Sequence, residues 1–168
     1  MDTRAELAAR PSIEEINTRY DEMLRQIRDR IDTEFGPRSW YEALPRSWGA
    51  CGGEYGGLGA VNSSSPTWAF DGNIPDGTWP QARQIVADIT AAHGFATAGL
   101  QIDTPASPGE PGNHQTGGVD SGLGASYTFG TYVNTSIQVT TGCHLPTSPT
   151  PWERPATAPG DDHPTTEP

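Results

Sequence analysis

Cys143-His144 sets a thiol beside an imidazole, the pairing through which cysteine nucleophiles are activated. Adjacent residues of a strand point to opposite faces, so side chains at 143 and 144 diverge for as long as the strand continues. The other cysteine is Cys51. Two cysteines in a lysine-free, acidic, Gly- and Pro-rich chain fit one disulfide formed in an oxidising compartment; two reduced, buried thiols in a cytosolic protein are the alternative. A bridge would remove the nucleophile. Closing so long a loop is worth roughly 4 to 5 kcal/mol on the chain-entropy model.

The rest of the reactive inventory is scattered. The four histidines lie at 93, 114, 144 and 163, with no H-E-x-x-H, C-x-x-C or EF-hand spacing, so no metal and no cofactor is expected. His93 follows a helical pattern, where an imidazole serves the last carbonyls. His114, Asp120 and Ser121 could be sketched as a nucleophilic triad, but they fall in a segment that reads as a loop, and no G-x-S-x-G elbow is present. Twenty-one acidic residues allow many carboxylate pairs for glycoside chemistry, and only a cleft could select one. The glycines from Gly49 to Gly59 lack the G-x-G-x-x-G spacing and no helix follows them, so they make no phosphate cradle. No catalytic residue is assigned; a hydrolase using acidic residues or His144 is the least favoured reading. Five aromatics, Trp40, Tyr41, Trp48, Tyr55 and Trp68, are candidates for a stacking platform for a sugar or an apolar ligand, with core and hairpin packing as their other use.

Charge narrows the partners. Ten basic residues, all Arg, against 21 acidic ones give a net charge of −11, which offers no field for nucleic acid, and the absence of Lys excludes a Schiff base or a Walker A loop. No stretch approaches the roughly 18 apolar residues of a membrane span.

Such residues need elements to hold them. Ser12-Ile13-Glu14-Glu15 has the form of a capping box, and Ile13, Ile16, Tyr20, Met23, Ile27 and Ile31 follow on one helical face until Gly36-Pro37. The aromatic and Gly-rich stretch from Trp40 to Phe70 predicts short strands in an irregular hairpin, with a strand at Thr67 to Phe70. Thr78-Trp79-Pro80-Gln81 predicts a second helix start, and Ala82, Ile85, Val86, Ile89 and Ala92 carry it to a cap at Gly94. Phe95, Ala98, Leu100 and Ile102 read as one strand, Pro105 to Gly118 as a loop. Ala125 to Phe129 and Val133 to Thr141 read as two strands turning at Gly130-Thr131. The order predicts an α+β fold: a two-layer sandwich, with two helices on one face of an antiparallel sheet. A parallel, doubly wound sheet is the alternative.

Leu, Ile, Val and Phe make up only 25 of the 168 residues, a composition that warns of disorder. The warning falls on 145–168, which holds seven of the sixteen prolines and predicts a disordered, partly polyproline tail. Residues 1–11 predict a flexible tether, leaving 12–144 as one domain.

Gly72-Asn73-Ile74-Pro75-Asp76, Trp79-Pro80, Gly118-Val119-Asp120, Phe129-Gly130-Thr131 and above all Thr140-Thr141-Gly142-Cys143-His144-Leu145-Pro146 resemble the mycobacterial and actinobacterial LppA-like lipoproteins, over roughly Arg10 to Pro146. The resemblance implies export across the plasma membrane, a lipid anchor, a place facing the cell wall, and no established enzymatic activity. It implies a paired role for Cys51 and Cys143 and carries no catalytic residue. Met1-Asp2-Thr3-Arg4 shows neither a signal pattern nor a lipobox cysteine, so a chain starting after its anchor, or a soluble member, is expected. The function expected is a binding or interaction module for an unknown envelope partner or small ligand. A carrier with an enclosed apolar pocket between sheet and helices is the alternative.

Overall fold

The computed structural model describes residues 2–149. The long helix is α2, Ile13–Phe35, after α1, Thr3–Ala9. Ser12 Oγ accepts from the Glu15 N–H at 3.1 Å, satisfying one of the donors that a helix start leaves open. The Glu15 carboxylate turns outward to Arg19 at 2.6 Å. The six residues of the predicted face are all buried, with Leu24 added. The opposite face carries the ion pairs of Arg19, Arg25 and Arg30.

One antiparallel sheet collects nine short strands among the described residues. β1 (Tyr41–Leu44) and β2 (Ser47–Ala50) act as one kinked strand against β4 (Thr67–Asp71) and β3 (Val61–Ser64): Tyr41 faces Ala69, Ser47 faces Ser64 and Ala50 faces Val61. The breaks fall at Pro45-Arg46 and Ser65-Pro66, since proline cannot donate to a ladder. β9 (Asn134–Thr140) lies against β4 and β3, followed by β8 (Ala125–Thr131) and β7 (Asn113–Asp120). β5 (Ala96–Thr97) and β6 (Ile102–Thr104) close the far edge on β7. Between β4 and β5, α3 (Trp79–Ala91) carries the chain from one side of the sheet to the other.

Alternation in β8 and β9 sends Tyr127, Phe129, Ile137 and Val139 into one core with α2 and α3, while Ser126, Thr128, Ser136 and Gln138 take the other face. Trp79 lies buried between the rings of Phe129, 5.1 Å away, and His114, 5.3 Å away. The two-layer α+β architecture is therefore as predicted.

Several local expectations are corrected. The tether expected at 1–11 contains α1: Asp2 caps it, Leu7 is 1% exposed, and Arg10 reaches across to the last strand's exit. One buried leucine and one engaged arginine suffice to dock seven residues, a signal too short for periodicity. The packed unit also runs past 144, since the Leu145 carbonyl accepts from Ile13 N at 3.0 Å. The rest of the expected tail, 150–168, lies outside the described residues. The single strand expected from Phe95 to Ile102 is split into β5 and β6, leaving Leu100 66% exposed. The predicted loop at Pro105 to Gly118 hides Asn113 to Gly118, most of β7. Its glycines mark crowding, because a Cβ at Gly117 would sit 2.7 Å from the Tyr127 carbonyl oxygen and one at Gly118 2.5 Å from the Tyr127 ring. The last hairpin turns at Tyr132-Val133, with Gly130 inside β8 opposite Ser136. Thr78 precedes α3 without a side-chain cap bond. His93 does serve its helix end, Nδ1 lying 3.0 Å from the Ile89 carbonyl.

Candidate functional site

Cys51 and Cys143 form a disulfide across 92 residues, with Cα atoms 6.1 Å apart. It fastens the end of β2 to the segment after β9. Leu7 and Ala60 are buried around it, with Tyr55, Leu58 and Leu145 packed alongside. Arg10 completes this corner. Its guanidinium donates to the Cys143 carbonyl at 2.8 Å, to Glu6 at 3.0 Å and to the Tyr55 hydroxyl at 3.1 Å. The Tyr55 hydroxyl in turn donates to Glu6 at 3.0 Å, and that bond holds its pKa above the ordinary phenol value. A polar cleft of about 420 Å³ opens beside Glu6, Arg10, Glu54, Tyr55 and Cys143. Its arginine is already engaged by acceptors of the chain itself.

His144, next to the disulfide, is fully buried. Its Nδ1–H donates to the Pro11 carbonyl at 2.8 Å, which leaves Nε2 as an acceptor that has no partner among the described residues. Burial pushes its pKa below the ordinary imidazole value. The sulfur of Cys143 is committed to the bridge, so the thiol and imidazole pair does not operate as a nucleophile and base.

One residue before Cys51 lies a second cleft of about 420 Å³, lined among the described residues by Trp48, Gly49, Ala50 and Val61 with mostly apolar walls. Pairing of Trp48 with Ser63 and of Ala50 with Val61 turns all four of these side chains to one face, because directly opposed residues share a face. Ser63 Oγ is bonded to Asn17 of α2 at 2.6 Å, so this is the helix-covered face. Trp48 itself packs against the main core. The groove is thus built on a rigid hairpin, pinned at its tip by the disulfide.

The five candidate aromatics do not form one platform. Trp40 packs edge-on to Phe70 and donates its indole N–H to Asp32 at 2.9 Å. Tyr41 is 41% exposed and bonds Asp71. Trp68 lies under the Arg28 guanidinium at 3.8 Å, and Tyr55 belongs to the cystine corner. Trp48 alone of the five lines the apolar groove.

A constellation that the sequence did not disclose sits on β7. His114 is buried, with Nδ1 2.8 Å from Asp103 of β6 and Nε2 2.8 Å from Asp76 before α3. Asp76 also accepts from Ala106 N at 2.8 Å, and these two bonds, the backbone one first, hold its carboxyl below the usual carboxylate range. Both imidazole nitrogens are occupied by carboxylates, so neither is open to a substrate or metal; the arrangement clasps an edge strand and a loop to the sheet. Among the described residues, no group of three or more His, Cys, Asp or Glu gathers as a metal site. Asp120 lies apart from this clasp, accepting from Gly122 N and Leu123 N in the next turn. The Asp-Gly turn signal at Asp76 was visible in the sequence, but nothing in it marked His114 as the partner 38 residues on.

The crystal structure of the lipoprotein LppA from Mycobacterium tuberculosis is similar, with a TM-score of 0.62 at 13% identity, covering 85% of this chain and 83% of that one. A DUF4853 family protein from Actinomyces odontolyticus gives a TM-score of 0.60 at 15% identity, covering 92% and 77%. At such identities the likeness is one of fold. No curated protein is significantly similar to the chain. The family model of LppA, described as a lipoprotein confined to pathogenic Mycobacterium, matches residues 1–147. The chain belongs to the LppA lipoprotein family.

Proposed function

We propose that this chain is an extracytoplasmic domain of the cell envelope that acts as a binding or interaction module, with the groove at Trp48 as its binding surface. The observation that carries the reading is the union of a candidate aromatic with mostly apolar walls in a cleft of about 420 Å³, on a hairpin fastened by a disulfide. Rigid elements with an aromatic anchor are how a site holds an apolar group of a small ligand or of an envelope partner. The disulfide supports an oxidising compartment. Membership of a lipoprotein family supports attachment through a lipid; among the described residues no helix is long and apolar enough to cross a membrane. The carrier alternative draws less support, because the space between sheet and helices is filled by Met23, Ile27, Trp79 and Phe129, each 1% exposed or less. Among the described residues, His114 and His144 are held by Asp76, Asp103 and the Pro11 carbonyl, so the hydrolase reading draws less support.

The test is a titration of the full chain with N-phenyl-1-naphthylamine, a neutral apolar fluorophore. Saturable one-site binding is expected, weakened about tenfold or more by Ala50→Glu, since even 1.4 kcal/mol of charge desolvation has that effect. A wild-type chain that does not bind, or a variant that binds equally well, overturns the reading.

A further inference from the structure

Bond counting at the β7 clasp assigns it a charge. An ionised carboxylate only accepts hydrogen bonds, and a neutral imidazole donates from one nitrogen alone. His114 nevertheless meets a carboxylate oxygen at each nitrogen, Asp103 Oδ1 at Nδ1 and Asp76 Oδ1 at Nε2, both at 2.8 Å. One of the three groups therefore holds an extra proton. Asp76 is not the holder, since the Ala106 N–H and, after it, the ring keep its carboxyl below the usual carboxylate range. Asp103 turns its other oxygen to the Arg83 guanidinium of α3, 3.4 Å away, a partner for a carboxylate rather than for an acid. The ring remains. Trp79 is stacked on it, with 5.3 Å between centroids and 15° between planes, and an aromatic face suits a cation.

The clasp also closes over a loop. Asp76 Oδ2 accepts from the Ala106 N–H at 2.8 Å, and Asn73 donates to the Gly112 carbonyl at 2.9 Å. A Cβ at Gly112 would stand 2.0 Å from Asp76 Oδ1, so the backbone there lies directly on the carboxylate. Residues 105–112 have a second fastening, the bond from the Tyr132 hydroxyl to Glu110. That bond raises the Tyr132 pKa above the ordinary phenol value, so this fastening persists where an imidazole changes charge.

We propose that His114 is an imidazolium in the closed state, and that loss of its second proton is the release by which β6 and residues 105–112 loosen from the sheet. The sign follows from the count. While the ring is charged it donates twice; as pH rises and it becomes neutral, one carboxylate is left facing a bare nitrogen, acceptor against acceptor. Among the described residues, the charged groups at the clasp are Asp103 of β6, Asp76 before α3 and Arg83 of α3, with Glu110 on the loop.

The test is amide exchange of the full chain from mildly acidic to mildly alkaline pH, alongside the ¹⁵N shifts of the His114 ring. Exchange is read as protection factors, which cancel the ordinary base catalysis. Protection of the Ala106 N–H is expected to fall about tenfold or more along the same pH curve on which the ring shifts turn from the doubly protonated to the neutral form. Protection that stays level while the ring becomes neutral overturns the proposal. Asp103→Asn, at an exposed carboxylate, gives a second reading. Its amide can donate to a bare Nδ1 while Nε2–H still donates to Asp76, so its Ala106 protection is expected to stay flat across the range where wild type loosens. A variant that loosens along the wild-type curve also overturns the proposal.

Discussion

The helix-covered layer and the cystine corner are held by different physics. Under α2 and α3, buried Ile, Leu, Met and aromatic side chains form a continuous core whose stability comes from area removed from water. At the corner, Leu7, Cys51 and Ala60 are the buried apolar residues, and a covalent tie and the charged bonds of Arg10 supply what area does not. The contrast explains how a chain with so few aliphatic residues folds: four of its nine isoleucines sit on the buried face of α2, and the part left poor in them is fastened by other means.

Breaking the tie tests this most severely. The pair Cys51→Ala and Cys143→Ala is expected to lower unfolding stability by about 4 to 5 kcal/mol on the chain-entropy model, measured by urea denaturation, with amide exchange accelerating first at Leu7. Thiol titration of denatured, unreduced wild-type protein is expected to find no free thiol; two reactive thiols would remove the contrast. On the other side, Phe129→Ala in the main core is expected to cost about 3 to 5 kcal/mol. Here α1 stays protected until global unfolding. If the two variants gave the same exchange pattern, the regions would be one cooperative unit.

Acid acts on the corner more gently. His144 titrates lower in the folded chain than its ordinary value of 6.5, so between those two values the unfolded chain binds more protons. Stability therefore rises with pH across that window and is lost as pH falls from 6.5 through the native value. His144→Gln is expected to flatten this slope in pH-dependent denaturation curves. Smallest of all is Arg25→Ala on the outer face of α2, whose pairs with Glu22 and Asp29 are solvent-screened; its thermal midpoint is expected to match wild type.

The sequence disclosed the elements whose signals are local and repeated. The α2 face, the α3 pattern and the alternation of β8 and β9 were all legible because burial imposes a period of 3.6 or 2. α1 was not, since one leucine has no period. β7 was misread because Gly117 and Gly118 look like loop residues until the Tyr127 ring and carbonyl above them are seen. Among the candidate aromatics Trp48 is the one that lines the apolar groove, and its separation from Trp40, Tyr41, Tyr55 and Trp68 could not be read from spacing. The clasp on His114 draws its carboxylates from separate elements, and side chains that meet only through tertiary structure leave no pattern in the chain.

The run from Thr140 to Pro146 is legible for a reason unrelated to binding. Thr141 Oγ1 accepts from Ser63 N, Cys143 is bridged, His144 is buried against Pro11, and Leu145 receives Ile13. A Cβ at Gly142 would stand 1.8 Å from the Leu123 carbonyl oxygen, so even one methyl group is refused there. The run is an imprint of assembly, like the joinery of a frame. A chain that shared this run would inherit the same fastening of its last strand to its first two helices.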